Sequence, residues 1–430
     1  MALDKLAKLP WAAGLFGFAL VSHAGTEPQP LPPPYATPSV YNFPKIVPKP
    51  DNVELRVPPG FRMDVYADGF QAPRFMTLAP GGQILISDEM PIQTGSYRLP
   101  DGTVTNGGSV FAITGPNQKK LLITNLDRPY GLALWKEYLY VAEVESIKRY
   151  KFDSKALTAS EPQEIMSLKG FKGMHQTRTL LFNRAGTKLY VSIGSGSNRN
   201  VGEDERRAAI SMCNPDGSGC EIYASGLRNA VGLRLYPGTD TVWVSVMERD
   251  DLGDDLVPDY FTHVQPHGFY GWPYAYIGPH VDPWNSGAKL LADLLKHPRG
   301  FTQVSQIDKL VESTITPDVL LGAHIAPLDI LFYTGKQFPA EYQGGAFIAL
   351  HGSVNRSKRI GYAVGFIPFR DAKPAGPLRE VVSGWMLSPD THDVWGRPAD
   401  FLQLPDGSLL ISDDGAQKIW RLSYSGLPSK

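Results

Sequence analysis

Three stretches of this 430-residue chain gather side chains that can do chemistry. The first is GMHQTR (Gly173 to Arg178), where His175 stands three residues before Arg178. An imidazole near neutral pH can take up a proton as a general base. The second is MERDDLGDDLVPD (Met247 to Asp259), with six carboxylates in thirteen residues. Such a run is either a solvated acidic loop or a source of oxygen donors for a hard cation such as Ca²⁺, though without EF-hand spacing. The third is HGFYGWPYAY (His267 to Tyr276), whose aromatic rings could pack a core or stack on a flat ligand.

A regular pattern sets where these groups must sit. An alternating apolar strand recurs as QILISDE (from Gln83), YLYVAEV (Tyr138), KLYVSIG (Lys188), TVWVSVM (Thr241), GAFIALH (Gly345) and SLLISDD (Ser408). The spacing is near 50 residues apart from insertions before the last two copies. Strand repeats of that period indicate a β-propeller, in which blades stack because none buries both faces alone. Six copies predict an all-β, six-bladed propeller of four-stranded antiparallel blades. A short strand at Arg62 to Tyr66 and the closing KIWRLSY (Lys418 to Tyr424) are expected to pair within one blade, removing an open edge.

One strand precedes each copy and would line the axis. Near its start stand Arg74, Arg128, Arg178, Arg228, His324 and Arg397, one basic residue at a matched phase per blade. Together they predict a positive axial pocket for a multiply anionic small ligand, with His175 at its edge. Any single arginine could instead tie blades together through carbonyls or carboxylates.

Composition agrees with this architecture. Glycine (43) and proline (37) make about 19% of the chain, against about 12% in average proteins, which disfavours long helices. The formal charge of −1 lacks the cationic field that nucleic-acid binding needs. Lys5 and Lys8, an apolar stretch Leu9 to Ser22, and Ser-His-Ala ending at Ala24 read as a signal peptide over residues 1–24. The stretch is short of the roughly 20 residues of a spanning helix, so a periplasmic or secreted protein with no membrane span after cleavage is expected. Residues 25–51 are proline-rich and read as an extended linker without packed structure, leaving 52–430 for the propeller. Cys213 and Cys220 flank a turn, and export favours a disulfide between them. No CxxCH haem motif is present.

The chain resembles the soluble quinoprotein sugar dehydrogenases, more the sorbosone dehydrogenase-like branch than the glucose enzyme. The resemblance is carried by GMHQTRTLLFNRAGTKLYVSIGSGSN (Gly173 to Asn198), YASGLRNAVGL (Tyr223 to Leu233), ERDDLGDDLVPD (Glu248 to Asp259), GFYGWPYAYIG (Gly268 to Gly278), LGAHIAPL (Leu321 to Leu328), LHGSVNRS (Leu350 to Ser357) and GRPADFLQLPDGSLLISDD (Gly396 to Asp414). It implies a propeller binding pyrroloquinoline quinone (PQQ), an anionic tricarboxylate, together with Ca²⁺. His175 would be the base that removes a sugar hydroxyl proton as hydride passes to the quinone C5. Arg228 would stabilise charge on the quinone oxygen, and Asn229 would hold the same edge. Arg397, Arg356, Lys358, Arg178 and His324 are further cofactor-binding candidates, since planar arginine contacts suit carboxylates. Calcium would take carbonyls near Arg249 and Asp250, while Asp254 and Asp255 would bind a second ion or brace the loop. Electrons would leave to a separate acceptor, a cytochrome or a quinone.

There are departures from the resemblance. Met174 stands where the glucose enzyme has an aspartate, and His324 where it has a threonine. A glutamine of that enzyme lacks a counterpart around Asp127 to Tyr130, and Val354 replaces a tryptophan of HGSWNRS. Substrate choice is expected to lie in the insertion from Tyr276 to Ile325. Two other readings keep the propeller and change its use. One is a metal-dependent lactonase-type hydrolase, which calls for acidic or amide residues on the axis rather than basic ones. The other is a non-catalytic or cofactor-less propeller that binds carbohydrate or protein.

Overall fold

Each copy of the repeat forms the second strand of a four-stranded antiparallel sheet in the computed structural model, which describes residues 30–90, 97–98, 102–286 and 304–426. The first blade runs Pro73–Leu78, Ile84–Asp88, Gly108–Gly115 and Gln118–Leu126, and the second Leu132–Trp135, Tyr138–Ala142, Ser146–Asp153 and Thr158–Ser167. The third comprises Arg178–Phe182, Leu189–Ile193, Ala209–Cys213 and Glu221–Ser225, with Gly268–Phe269 added in parallel as a fifth strand on its outer edge; the fourth, Asn229–Leu235, Val242–Met247, Pro258–His263 and Val319–Ala323. The fifth is Pro327–Phe332, Ala346–Leu350, Ala363–Ile367 and Arg379–Val382. In the sixth, Pro398–Gln403, Leu409–Asp413 and Lys418–Tyr424 are joined on the outer edge by Phe61–Ala67, from the other end of the chain. That pairing runs antiparallel from Phe61 opposite Tyr424 to Ala67 opposite Ile419, and it closes the propeller.

The first strands neighbour one another in a complete ring, each touching the next and the sixth touching the first. Between blades lie apolar layers such as Trp243, Phe261, Ile330, Phe332 and Ile348, between the fourth and fifth. Second strands such as Leu189–Ile193 are buried along their whole length, which is why they read as nearly continuous apolar runs. The fifth position of the repeat has a separate task. Ser87, Ser192 and Ser412 donate from Oγ to the carbonyls of Tyr130 (2.8 Å), Ala230 (2.5 Å) and Arg74 (2.6 Å), and Ser245 donates to that of Leu328. In each case the acceptor lies at the inner edge of the next blade, so these serines latch neighbouring blades together around the axis.

Cys213 and Cys220 form a disulfide that closes the hairpin between the third and fourth strands of blade three. The insertion before the last strand of blade four holds a helix, Val304–Glu312, which composition had not signalled. Its Ile307 and Val311 pack against Val201, Tyr274 and Ala275. Residues 287–303 of the stretch expected to set substrate choice lie outside the described residues, as does the segment read as a signal peptide.

The proline-rich stretch departs from expectation. Residues 33–47 are docked on the propeller rather than free. Tyr35 N–H donates to Leu252 O (2.8 Å) and Asn42 N–H to Val354 O (2.7 Å), while Lys45–Ile46 pairs in parallel with Asp393–Val394. Proline favours extended backbone, and an extended strand can satisfy its donors on a neighbour's loops.

Candidate active site

His175, Asn229 and the seventh position of the repeat meet at one end of the axis. They line a cavity of about 310 Å³ with Arg74, Glu89, Arg128, Met174, Gln176, Thr177, Met247 and His351. Glu89, Met247 and His351 each end a copy of the repeat, as do Gly194 and Asp414. Sequence reasoning quoted these residues without assigning them to the site. The signal was there: in a strand whose fifth side chain latches the next blade, the seventh shares its facing and stands nearer the mouth.

Glycine at the seventh position in blade three is what lets the base approach. A Cβ on Gly194 would come within 2.2 Å of Asn229 Oδ1 and 2.7 Å of His175 Cβ. The loop carrying His175 is held by Met174 N–H donating to Gly196 O (2.9 Å). The half-buried imidazole has its Nδ1 3.0 Å from both Ser195 O and Ser195 Oγ. The carbonyl can only accept, and the hydroxyl spends its proton on Ser197 O (2.6 Å). Nδ1 therefore carries the ring proton, and the lone pair sits on Nε2. Burial, then the nearby Arg228 guanidinium, lower the His175 pKa to about 3, so the ring is neutral across the physiological range.

The axial arginines are less free than the matched phase suggests. Arg74 pairs with Glu89 (2.9 Å) and Asp414, and Arg128 with Glu89 (3.3 Å). Arg397 donates to His351 O (3.1 Å), and His351 Nε2 lies 2.9 Å from Asp414. Burial opposes charge on Asp414, yet His351, Arg74 and Arg397 together hold its carboxyl well below the usual range. Burial and Arg397 lower His351 to about 4, leaving it neutral. Four guanidinium groups at or behind the wall (Arg74, Arg128, Arg228, Arg397) are thus met by three carboxylates (Glu89, Asp250, Asp414). The expected strongly positive ring is a ring of ion pairs with one positive charge to spare, because a desolvated arginine needs partners.

Several candidates stand elsewhere. Arg178 is fully buried and donates to the carbonyls of His175 (3.0 Å), Thr177 (2.8 Å) and Phe171 (2.8 Å); it braces the His175 loop and is not at the cavity wall. His324 is buried against the acidic loop, with Nε2 on Gly253 O (2.9 Å) and Nδ1 3.3 Å from Asp250. Lys358 lies exposed beside Asp390 (3.4 Å). Arg356 donates to Asp254 O and pairs with Asp255 (2.7 Å), while the Asp254 carboxylate accepts from Ser357 N–H (2.9 Å) and its hydroxyl. Asp254 and Asp255 are thus both engaged by the Arg356–Ser357 segment. Among the described residues no three His, Cys, Asp or Glu side chains converge on a point that could hold a metal ion.

Arg228 is the hub behind the wall. Its guanidinium donates to Asn198 O (3.2 Å) and Oδ1 (3.0 Å), Glu248 O (2.5 Å) and Asp250 Oδ2 (3.2 Å), so its field reaches the cavity although its donors are engaged. Arg249 is buried with its Nη1 donating to both Asp282 carboxylate oxygens (2.8 and 2.6 Å), and its Nε donates to Asp250 O (3.0 Å). Asn198 Nδ2 also donates to Asp250 O (3.2 Å), so one of the carbonyls expected to hold calcium is already occupied by two donors. The aromatic run resolves toward packing: Tyr270, Trp272, Tyr274 and Tyr276 are all buried, and Trp272 Nε1 donates to Asn198 O (2.9 Å).

The donor set fits a planar polyanion. Arginine edges line one wall, the unpartnered Asn229 Oδ1 is an acceptor for an N–H or O–H of the bound group, and the cavity suits a small multi-ring molecule. The family model described as TrAA12-like matches residues 55–420. A pyrroloquinoline quinone-dependent sugar dehydrogenase of Hypocrea jecorina is 25% identical over 408 residues, covering 85% of this chain and 88% of that protein. The holo form of the PQQ domain of pyranose dehydrogenase from Coprinopsis cinerea superimposes with a TM-score of 0.65 at 19% identity, covering 87% of this chain and 98% of the other. A calcium structure of the Trichoderma reesei family AA12 enzyme gives 0.64 at 19%, covering 87% and 99%. At these identities the structural likeness establishes the propeller fold.

Proposed function

This chain belongs to the TrAA12-like family, and from that premise we propose that it is a PQQ-dependent dehydrogenase oxidising an aldose or sugar aldehyde. The observation that carries the reading is the neutral His175 at the axial cavity, with Nδ1 committed to Ser195 and Nε2 left as the basic atom. When bound, PQQ would supply the two-electron acceptance that no side chain here can provide. The protein's own groups do the rest. His175 Nε2 takes the hydroxyl proton of the substrate carbon being oxidised. Arg228 supplies a fixed positive field beside that base, and Asn229 and the Arg74 and Arg128 edges hold the cofactor's polar rim.

Charge bookkeeping supports a divalent cation. One surplus positive charge at the wall cannot balance a tricarboxylate, whereas the same wall with Ca²⁺ can. The ion would take backbone carbonyls of the loop around Arg249 and cofactor oxygens, since among the described residues no cluster of His, Cys, Asp or Glu side chains is placed to hold it. The axial carboxylates argue against the lactonase-type reading, because each one already holds an arginine. We further propose export, which the disulfide supports, and transfer of electrons to a separate cytochrome or quinone. No helix among the described residues is long and apolar enough to cross a membrane.

The test is a titration of the purified protein with PQQ and Ca²⁺, followed by dye reduction across aldoses, sorbosone and simple aldehydes. Stoichiometric binding with sugar-dependent turnover is expected. H175A should bind PQQ as the parent does and lose turnover by at least a hundredfold; parental turnover in that variant would remove His175 from its role, and absence of PQQ binding would leave the fold without this chemistry.

A further inference from the structure

The docked N-terminal segment holds two aromatic rings between the acidic loop that follows Met247 and the loop that follows His351, two residues that line the axial cavity. Tyr41 and Phe43 stack with centroids 6.0 Å apart and planes at 17°. They are 52% and 64% exposed, in a molecule whose other aromatics are mostly interior. An exposed, paired aromatic face offers apolar surface to a ligand that has an apolar face of its own. Nor is the pair loose. Asn42, between the two rings, donates N–H to Val354 O (2.7 Å) and Nδ2 to Ser357 O (3.0 Å), and its Oδ1 accepts from Arg359 Nη2 (2.6 Å). Val40 O accepts from Asn355 Nδ2 (3.3 Å), and Phe43 O from Arg359 Nη2 (2.8 Å). The backbone is fixed on both sides so that the rings project.

Polar contacts lead from these rings to the base. Burial and the nearby Asp251 carboxylate push the Tyr41 hydroxyl pKa up to about 12, so the polar end of the ring lies beside that carboxylate. Asp251 accepts from Asn198 Nδ2 (3.0 Å), whose Oδ1 accepts from Arg228 Nη2 (3.0 Å). Arg228 Nη2 touches the Met174 sulfur (3.8 Å), and Met174, 47% exposed, precedes His175. On the other side of Asp251, Arg199 (3.9 Å) lies flat over Trp284, its Cζ 3.5 Å from the ring centroid. The rim thus offers an exposed apolar face edged by a carboxylate and a guanidinium. A closed sugar ring has the matching character, with C–H groups on one face and hydroxyls around the edge.

We infer that Tyr41 is a substrate-contacting residue whose ring stacks on a pyranose at the entrance to the axial cavity, so that the segment before the propeller, rather than the insertion in blade four alone, selects closed-ring sugars over open-chain aldehydes. This rests on the sugar-oxidising reading of the cavity. Its test is the Y41L variant, which keeps bulk and loses the ring, with Y41F as the conservative control. For a pyranose substrate, Y41L raises KM about tenfold at unchanged kcat. KM for glyceraldehyde does not move, and Y41F stays within twofold of the parent for both. An unchanged melting temperature and an unchanged PQQ titration show that the segment remains docked. Unchanged pyranose KM in Y41L, or equal increases for pyranose and glyceraldehyde, overturns the assignment. Should the parent oxidise no sugar, it is the dehydrogenase reading that fails. The stacking is then read independently by saturation-transfer NMR with a methyl pyranoside, where Y41L must lose the signal that the parent and Y41F give.

Discussion

The state of His175 follows from what surrounds it. Both atoms opposite Nδ1 are acceptors, burial disfavours the imidazolium, and Arg228 repels it. A base whose pKa is lowered stays available until acid reaches that lowered value. The ring should therefore not protonate near 6.5, the ordinary histidine value. In the protein free of PQQ and metal, NMR titration of the His175 Cε1–H resonance is expected to show no transition between pH 8 and pH 5. A midpoint at or above 6 would mean that the ring is solvated and that Arg228 does not govern it. The type and place of this residue were readable from GMHQTR, but its protonation was not, because the decisive partners are Ser195 and Ser197 on another loop.

At the level of the strand, the repeat divides its labour by position. Where the fifth residue is serine, in four of the six copies, it latches the next blade; the seventh lines the cavity at Glu89, Met247 and His351; and acids at the sixth bind the loop that precedes the inner strand. Asp88 accepts from Gln71 and Ala72 N–H (3.0 and 2.6 Å), and Asp413 accepts from Arg397 N–H (2.6 Å). Ser87 both receives Phe75 N–H (3.0 Å) and donates to Tyr130 O (2.8 Å). S87A leaves a donor and an acceptor unsatisfied in a buried place, which should cost about 2 kcal/mol. Urea denaturation is the measure, and a loss below 0.5 kcal/mol would show that water or backbone movement replaces the latch. The strands and their closure were legible because alternation and period survive in the sequence: the expected Arg62 to Tyr66 and Lys418 to Tyr424 match Phe61–Ala67 and Lys418–Tyr424. The matched arginines were legible as residues and not as charges, since their partners Glu89 and Asp414 are distant in sequence. Residues 33–47 misled for a related reason. Proline-rich sequence reports an extended backbone but not the surface that receives it.

Taken as a whole, the propeller buries ionisable groups of opposite tendency, and their balance sets how its stability responds to pH. His175 and His351 are lowered to about 3 and 4, so they penalise the folded state only in acid, where the unfolded chain would protonate them. Glu248 and Asp259, both buried behind the cavity, are raised by burial to about 8 and about 7, with Glu248 Oε1 left unpartnered. A carboxyl raised in the folded state keeps a proton that the unfolded chain releases near pH 4. Stability then falls as pH rises toward the folded value. At pH 6.5 the two lowered histidines are about half protonated in the unfolded chain, so as pH rises to 8 they add roughly 0.8 kcal/mol of stability together, which the loss from Glu248 and Asp259 outweighs. His324, raised through Asp250 despite burial, acts in the same direction. The metal-free protein should lose stability of order 2 kcal/mol across that window, seen as a lower melting temperature at pH 8 than at pH 6.5. E248Q, which keeps the shape and cannot ionise, should remove most of the difference. A melting temperature that rises from pH 6.5 to 8, or a slope that E248Q leaves intact, would mean that Glu248 is ionised in the folded protein and that the loop carrying it is stabilised by charge.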